Sequence, residues 1–145
     1  MIEQRERNAG FRLWLILLGI ALFFWLGKED NDVLAVTTLG LILSGTSVWW
    51  LIFRRRRPGF TASGQFYAHL GLLGGICVGA LASFFAALLM LMKDVRHGHV
   101  YPDYPPELII ATLERLPPWS LAGGLIGLGL SLLFGLTVGV RQRKR

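Results

Sequence analysis

The sequence has a single cysteine and few charged residues, and both shortages exclude whole classes of site. Cys77 is the one cysteine among 145 residues, which excludes a disulfide framework, a CxxC redox pair and a cysteine-rich zinc site. Charged residues make up 17% of the chain, whereas hydrophobic residues make up 53%. This balance does not suit a soluble domain, whose surface must be polar, and is typical of a polytopic membrane protein.

Charge is also absent from long stretches, and these define four predicted transmembrane helices. They cover residues 11–27, 33–53, 67–92 and 119–140, and the last three contain no Asp, Glu, Lys or Arg. An apolar run of about 18 residues is already long enough to be a transmembrane candidate. Because too few segments exist to close a barrel, all four must be helices. We therefore predict one all-α, four-span membrane domain over residues 1–145, with an outer loop at 93–118.

Basic residues are unevenly distributed between the two predicted sides of the membrane. Eleven of them lie on the side of both termini and of the loop between spans two and three: Arg5, Arg7, Arg12, Arg54, Arg55, Arg56, Arg57, Arg141, Arg143, Lys144 and Arg145. The opposite side has four: Lys28, Lys93, Arg96 and Arg115. The positive-inside rule then predicts both termini in the cytoplasm, in a cell (inner) membrane.

The net charge of +6 and the pI near 10.3 follow from the same flanking residues. They do not lie on a basic face of a folded domain, so nucleic acid is not a predicted partner. The run Arg54, Arg55, Arg56 and Arg57 is topogenic and is placed to attract anionic lipid headgroups of the inner leaflet.

The predicted outer loop contains a short helical pattern between two proline pairs. Pro105-Pro106 precedes it and Pro117-Pro118 follows it. Four apolar residues within this segment can share one broad face: Leu108, Ile109, Leu113 and Leu116. Proline at the entrance and Glu107 in the first turn suit a helix start. We predict a short amphipathic helix that lies on the outer membrane surface or caps the bundle.

Small residues recur at every fourth position in spans three and four. The two runs are Gly71, Gly75, Gly79, Ser83, Ala87 and Gly123, Gly127, Ser131, Gly135, Gly139. In lipid, small residues let helix backbones approach closely, which is one of the few forces that hold helices together there. The pattern, a glycine zipper, predicts that spans three and four pack together near Gly79 and Gly127–Ser131. The remaining small residues are available to span two, another copy of the chain or a different protein.

Residues that carry chemistry are scarce, and the sequence indicates no particular family. His97 and His99 are weak candidate metal ligands, because their spacing arises easily by chance and a third strong ligand is missing. His69 is conceivable as a haem or chlorophyll ligand, although an interfacial histidine is the simpler interpretation. We predict no catalytic residue, no cofactor and no enzyme activity.

Three functions remain open at this point. The leading hypothesis is a non-catalytic integral-membrane interaction or accessory subunit that packs through its small-xxx-small helices into a homo-oligomer or a larger membrane complex. The alternative is a homo-oligomeric channel or transporter for a small solute, lined by glycines and by hydroxyls. These hydroxyls are those of Thr37, Thr38, Ser44, Ser47, Ser83 and Ser131. The third is an outward-facing metal or redox module at His97 and His99.

Overall fold

The computed structural model describes residues 2–28, 31–55, 64–98 and 102–143. It describes side chains for residues 9–28, 31–52, 54, 65–98 and 102–135. Within these ranges the chain forms five α-helices and no strand. The helices are α1 (Ile2–Leu26), α2 (Val33–Arg55), α3 (Gly64–His97), α4 (Pro106–Glu114) and α5 (Leu116–Arg143).

Four of these helices are long and apolar enough to cross a membrane. The qualifying segments are Ala9–Leu26, Val33–Ile52, Gln65–His97 and Leu116–Gly135. The prediction of an all-α chain with four candidate membrane-spanning helices is therefore confirmed at this level.

Helix boundaries differ from the predicted spans at three places, each with a local cause. Helix α1 begins at Ile2, because the charged residues before the apolar run are good helix formers. Helix α3 continues to His97 and ends at Gly98, whose φ of +58° is the left-handed conformation of a helix C-cap. Helix α5 begins at Leu116, since Pro117 and Pro118 fall in its first turn, where no amide donor is needed.

The start of α2 is fixed by an aspartate cap. One carboxylate oxygen of Asp32 accepts hydrogen bonds from the backbone N–H groups of Leu34 (2.9 Å) and Ala35 (3.2 Å). These amides have no partner within the helix, so the carboxylate satisfies donors that would otherwise be exposed. The cap fixes the point at which α2 begins.

Helix α3 lies at the centre of the arrangement and packs against α5 on one side and α2 on another. Helix α1 makes few close backbone approaches to any other helix. It is attached at its middle, where Trp14 Nε1 donates to Thr46 Oγ1 (3.1 Å), and at its end, where Trp25 is buried. The bundle is thus a packed α2–α3–α5 core with α1 at its edge.

Helix α4 runs beside the distal part of α3. Thr112 of α4 lies against Met90, with Oγ1 to Sδ at 3.8 Å, and the Tyr104 N–H donates to Asp94 Oδ1 at 2.9 Å. Helix α5 then meets α3 farther along, at Gly79. Helices α4 and α5 therefore follow α3 one after the other, separated by a break at Arg115.

A helix lies in this region, α4, and its four predicted apolar residues divide between contact with the buried cluster and exposure. Leu108 and Ile109 pack against the buried cluster, as expected. Leu113 and Leu116 are exposed, and the buried position on this face is Thr112 instead. The reason is geometric: Leu108 and Thr112 are four residues apart and share the face that contacts α3.

Candidate functional site

Glycines bring the backbones of α3 and α5 into direct contact. Gly75 lies opposite Gly123, and Gly71 lies opposite Gly127 and Ser131. A Cβ at Gly71, Gly75, Gly123 or Gly127 would come within 3 Å of the partner helix's backbone or of Ser131. No real side chain tolerates such a distance, so these positions require glycine for the observed helix separation.

The register of this contact differs from the predicted one. Gly79 faces Trp119 and Ser120, whereas Gly127 and Ser131 face Gly71. Spans three and four pack together as predicted, and Gly79, Gly127 and Ser131 all lie in the contact, but Gly79 is not opposite Gly127–Ser131. A repeat of four residues leaves the register open, because sliding one helix by four residues again places small residues opposite small residues.

Two residues of the runs, Gly135 and Ser83, show how the runs extend beyond these close contacts. Gly135 is exposed, and a Cβ there would have no atom of another helix within 4 Å. Ser83 is buried at 2% exposure, and its hydroxyl has no hydrogen-bond partner among the described residues. On α2, Gly40 meets the backbone of Ala82 and Ala86, so a glycine also sets the α2–α3 distance.

The hydroxyls considered as a pore lining mostly bond to their own helices. Each of the following donates to a carbonyl three or four residues earlier at 2.7–3.0 Å: Thr37, Thr38, Ser44, Ser47 and Ser131. Ser44 is in addition fully buried. Hydroxyls bonded in this way are satisfied in an apolar environment without water.

A polar cluster, missed in the sequence, joins four parts of the chain at one end of the bundle. Lys93 of α3 is fully buried, and its Nζ lies 4.9 Å from the ring centroid of Trp25 and 5.6 Å from that of Tyr104. The Tyr104 hydroxyl donates to the backbone carbonyl of Asp32 at 3.4 Å, and its N–H donates to Asp94. Cation–π contacts of this kind are strongest where water is excluded.

The sequence offered two partial signals for this cluster. The position of Trp25 near the end of the span at 11–27 predicts an interfacial anchor, and Lys93 directly follows the span at 67–92 as the first residue of the outer loop. Neither assignment brings the two together, since Tyr104 is distant along the chain from both. The buried environment forms because Tyr104 lies against α3, where its N–H donates to Asp94.

The candidate metal ligand His97 forms an ion pair and, among the described residues, does not belong to a group of metal-binding side chains. His97 Nδ1 is paired with the carboxylate of Asp103, and both side chains are largely buried. His99 lies outside the described residues. The described part of the chain brings no three His, Cys, Asp or Glu side chains together in a group that would hold a metal ion. His69 Nδ1 bonds to the carbonyl of Gln65 in its own helix at 2.7 Å.

Of the predicted headgroup residues, Arg54 is the one whose side chain is described. It is exposed, and its guanidinium carbon lies 4.9 Å from the ring centroid of Trp50. The side chain of Arg55, and Arg56 and Arg57 entirely, lie outside the described residues. A cation stacked on an interfacial tryptophan is held near the level where headgroups lie.

Comparison with known proteins leaves the function to be argued from this geometry. No protein-family model, no curated protein and no solved structure matches the chain.

Proposed function

We propose that the chain is a non-catalytic integral-membrane interaction subunit that assembles with further copies of itself or with other membrane proteins. The observation that carries the proposal is the division of its helix surfaces. Gly71, Gly75, Gly123 and Gly127 lie in the contact between α3 and α5 within one chain. The rest of the α5 segment Leu116–Gly135 is mostly apolar and exposed. Its exposed residues include Leu121, Leu125, Ile126, Leu130, Leu133 and Phe134.

This division changes the surface that assembly would use. The small-xxx-small runs were expected to serve both internal packing and association. Gly71, Gly75, Gly123 and Gly127 are occupied by the α3–α5 contact. Association would therefore use the outer faces of α1, α4 and α5, where large apolar side chains are exposed. Exposed apolar surface in a membrane chain contacts lipid, a partner, or both.

The proposal includes an orientation, in which both termini are cytoplasmic and α4 is on the outer side of a cell membrane. The basic residues at the termini and at Arg54–Arg57 support it through the positive-inside rule. In this orientation Arg54, Arg55, Arg56 and Arg57 attract anionic headgroups of the inner leaflet, each contributing about 1 kcal/mol near the surface.

The two other hypotheses receive less support. A channel would need hydroxyls directed at a water path, and five of the six candidate hydroxyls bond to their own helix backbone. A metal or redox module would need more ligands than His97, which is paired with Asp103. Among the described residues, no contact favours either function.

The proposal is tested by extracting the protein into a mild detergent and measuring the mass of the intact complexes. We expect the chain in complexes with further copies or with other membrane proteins, and chemical cross-linking in the membrane before extraction should capture the same species. A chain that is monomeric both by mass and by cross-linking would contradict the proposal. Transport of a small solute by purified protein in vesicles would favour the channel instead.

A further inference from the structure

An exposed arginine of α3 lies on an exposed aromatic ring of α1. The guanidinium carbon of Arg96 is 5.5 Å from the ring centroid of Phe23. Arg96 is exposed and Phe23 is 61% exposed, so the pair is open to whatever surrounds the bundle. A cation over a ring face is attracted by the quadrupole of the ring. The contact therefore holds the Arg96 side chain at the level of Phe23.

Both residues lie near the ends of candidate membrane spans. Phe23 is three residues before the end of the Ala9–Leu26 segment, and Arg96 is one residue before the end of Gln65–His97. The next segment along the chain, Val33–Ile52, begins soon after the first one ends. The ends of apolar spans mark the boundary between the hydrocarbon core and the headgroups.

Contacts between the helices show that these three ends lie together. Lys93 Nζ of α3 is 4.9 Å from the ring centroid of Trp25, close to the end of α1. Tyr104 lies against α3 and donates its hydroxyl to the backbone carbonyl of Asp32, directly before α2. The end of α1, the start of α2 and the end of α3 are therefore side by side. The cation–π pair shares their level, which is the headgroup boundary.

The carboxylates of three aspartates at this end of the bundle are already occupied. Asp32 caps α2, Asp94 accepts a backbone N–H, and Asp103 is in the ion pair described above. Among the side chains that the structure describes, Arg96 forms no ion pair. A ring face accepts no strong hydrogen bond, so the guanidinium N–H groups remain available to water or to an anion from outside the chain.

We propose that Arg96, held on Phe23, binds the phosphate of an anionic phospholipid headgroup at this end of the bundle. Phosphate is the anion that lies at the headgroup boundary, and a guanidinium binds it through parallel, bidentate hydrogen bonds. Lys28, which is exposed directly after α1, adds positive charge and favours an anionic headgroup over a zwitterionic one. The site lies at the opposite end of α2 from Arg54, and it goes beyond the proposed function.

Photo-cross-linking of a defined lipid tests the site in the full-length protein. The probe is phosphatidylglycerol with a photoactivatable headgroup in nanodiscs, and mass spectrometry locates the cross-linked peptides. Arg96→Gln should lower the yield at the ends of α1 and α3 about fivefold, which corresponds to the loss of about 1 kcal/mol for one basic residue near the membrane surface. The yield at the Arg54 end of α2 should stay unchanged. An unchanged yield at the ends of α1 and α3 would overturn the proposal.

The ring and the charge each have a matched control. Phe23→Leu removes the ring face and should lower the same yield about two- to fivefold, whereas Phe23→Trp retains a ring face and should preserve it. Arg115→Gln removes another exposed cation, one with no ring contact among the described residues, and should have no effect. Equal yields for the two Phe23 variants, or an equal loss in Arg115→Gln, would overturn the proposal. Because Arg96 is exposed, Arg96→Gln remains a valid test even if Phe23→Leu does not fold.

Two further arms identify the source of the phosphate. Inorganic phosphate in excess, at constant ionic strength, should leave the yield unchanged, and full competition by it would identify a free-anion site and overturn the lipid site. A phosphatidylcholine probe should give a lower yield than phosphatidylglycerol. Equal yields that do not respond to Arg96→Gln would mean an adventitious lipid contact only. A chain that is monomeric but keeps the Arg96-dependent yield would overturn the proposed function and leave this site standing.

Discussion

At the scale of single residues, the glycines of this chain differ in what a methyl group would meet. Gly75 and Gly40 face the backbone of a neighbouring helix, whereas Gly74 and Gly45 on the same two helices face ordinary contacts or open space. Helix backbone cannot move aside as a flexible side chain can. A methyl group added at Gly75 or Gly40 must therefore push two helices apart.

The first prediction compares Gly75→Ala with Gly74→Ala. Alanine at Gly75 would clash with the Gly123 backbone, so we expect a loss of about 1–3 kcal/mol of stability. Alanine at Gly74 meets Ile52 and Val48 at 3.8 and 4.0 Å, which is ordinary contact, and should leave stability unchanged or slightly raised. Thermal unfolding in detergent measures both, and equal stability of the two variants would contradict the α3–α5 contact.

The second prediction concerns α2 and has the same design. A Cβ at Gly40 would lie 2.7 Å from the Ala82 carbonyl oxygen and 2.9 Å from the Ala86 nitrogen. A Cβ at Gly45 would meet nothing within 4 Å. Gly40→Ala should destabilise the chain by about 1–3 kcal/mol and Gly45→Ala should be neutral. The same unfolding assay decides, and a destabilising Gly45→Ala would show that helix flexibility matters more than the packing.

At the scale of helices, the attachment of α1 depends on few contacts. Its end is held where Trp25 joins the buried cluster with Val36, Met90 and Tyr104, beside Lys93. Phe24, the preceding residue of the same helix, is 70% exposed and serves as a matched control. Removing the Trp25 side chain should therefore weaken the docking of α1, whereas removing that of Phe24 should not.

The third prediction is that Trp25→Ala loosens α1 and Phe24→Ala does not. Truncating a buried aromatic side chain costs about 3–5 kcal/mol, because it removes apolar contacts and leaves a cavity. Docking is measured with cysteines at Trp14 and Thr46, joined by a short bifunctional thiol reagent in a Cys77→Ser background. We expect a markedly lower cross-linking yield for Trp25→Ala. Equal yields in both variants would mean that the cluster does not hold α1.

The positions of the helices were largely predictable from the sequence, whereas the side-chain contacts between distant parts of the chain were not. Runs without charge locate four apolar helices, since lipid forces a spanning segment to be long, apolar and internally bonded. The burial of Lys93 was not predictable, because it depends on Trp25 and Tyr104 from distant parts of the sequence. Likewise, Thr112 reads as a polar interruption of α4 until the contact with Met90 shows which face is inside.

At the scale of the whole molecule, the register of α5 against α3 shows that the predicted spans are not aligned middle to middle. Equal spans placed side by side would put the middle of the 119–140 run beside the middle of α3. Instead Trp119, the first residue of that run, lies opposite Gly79. Helix α4 then occupies the distal part of α3, and the later part of α5 continues beyond Gly71. A spacing of four residues cannot distinguish these registers, which is why Gly79 has a different partner from the expected one and Gly135 has none within 4 Å.

The fourth prediction concerns orientation, and it depends on charge at the ends of helices rather than on packing. Eleven basic residues at the termini and the α2–α3 connection oppose translocation across the membrane, against four on the other side. Single cysteines at Gln4, Lys28 and Lys144 in a Cys77→Ser background report the side of each position. With a membrane-impermeant thiol reagent on intact cells, Lys28→Cys should label at once. Gln4→Cys and Lys144→Cys should be labelled only after the membrane has been permeabilised.

The reverse labelling pattern would place the basic ends outside and would remove the lipid-headgroup role of Arg54–Arg57 together with the outer position of α4. Labelling of all three positions in intact cells would indicate two coexisting orientations. The charge bias argues against that, because dual insertion requires nearly equal numbers of basic residues on the two sides. The contacts between helices would survive either result, since Gly75 and Gly123 approach each other whichever end faces the cytoplasm. Orientation and packing are thus independent, and a failed labelling experiment would revise the proposed sides of the membrane without revising the bundle.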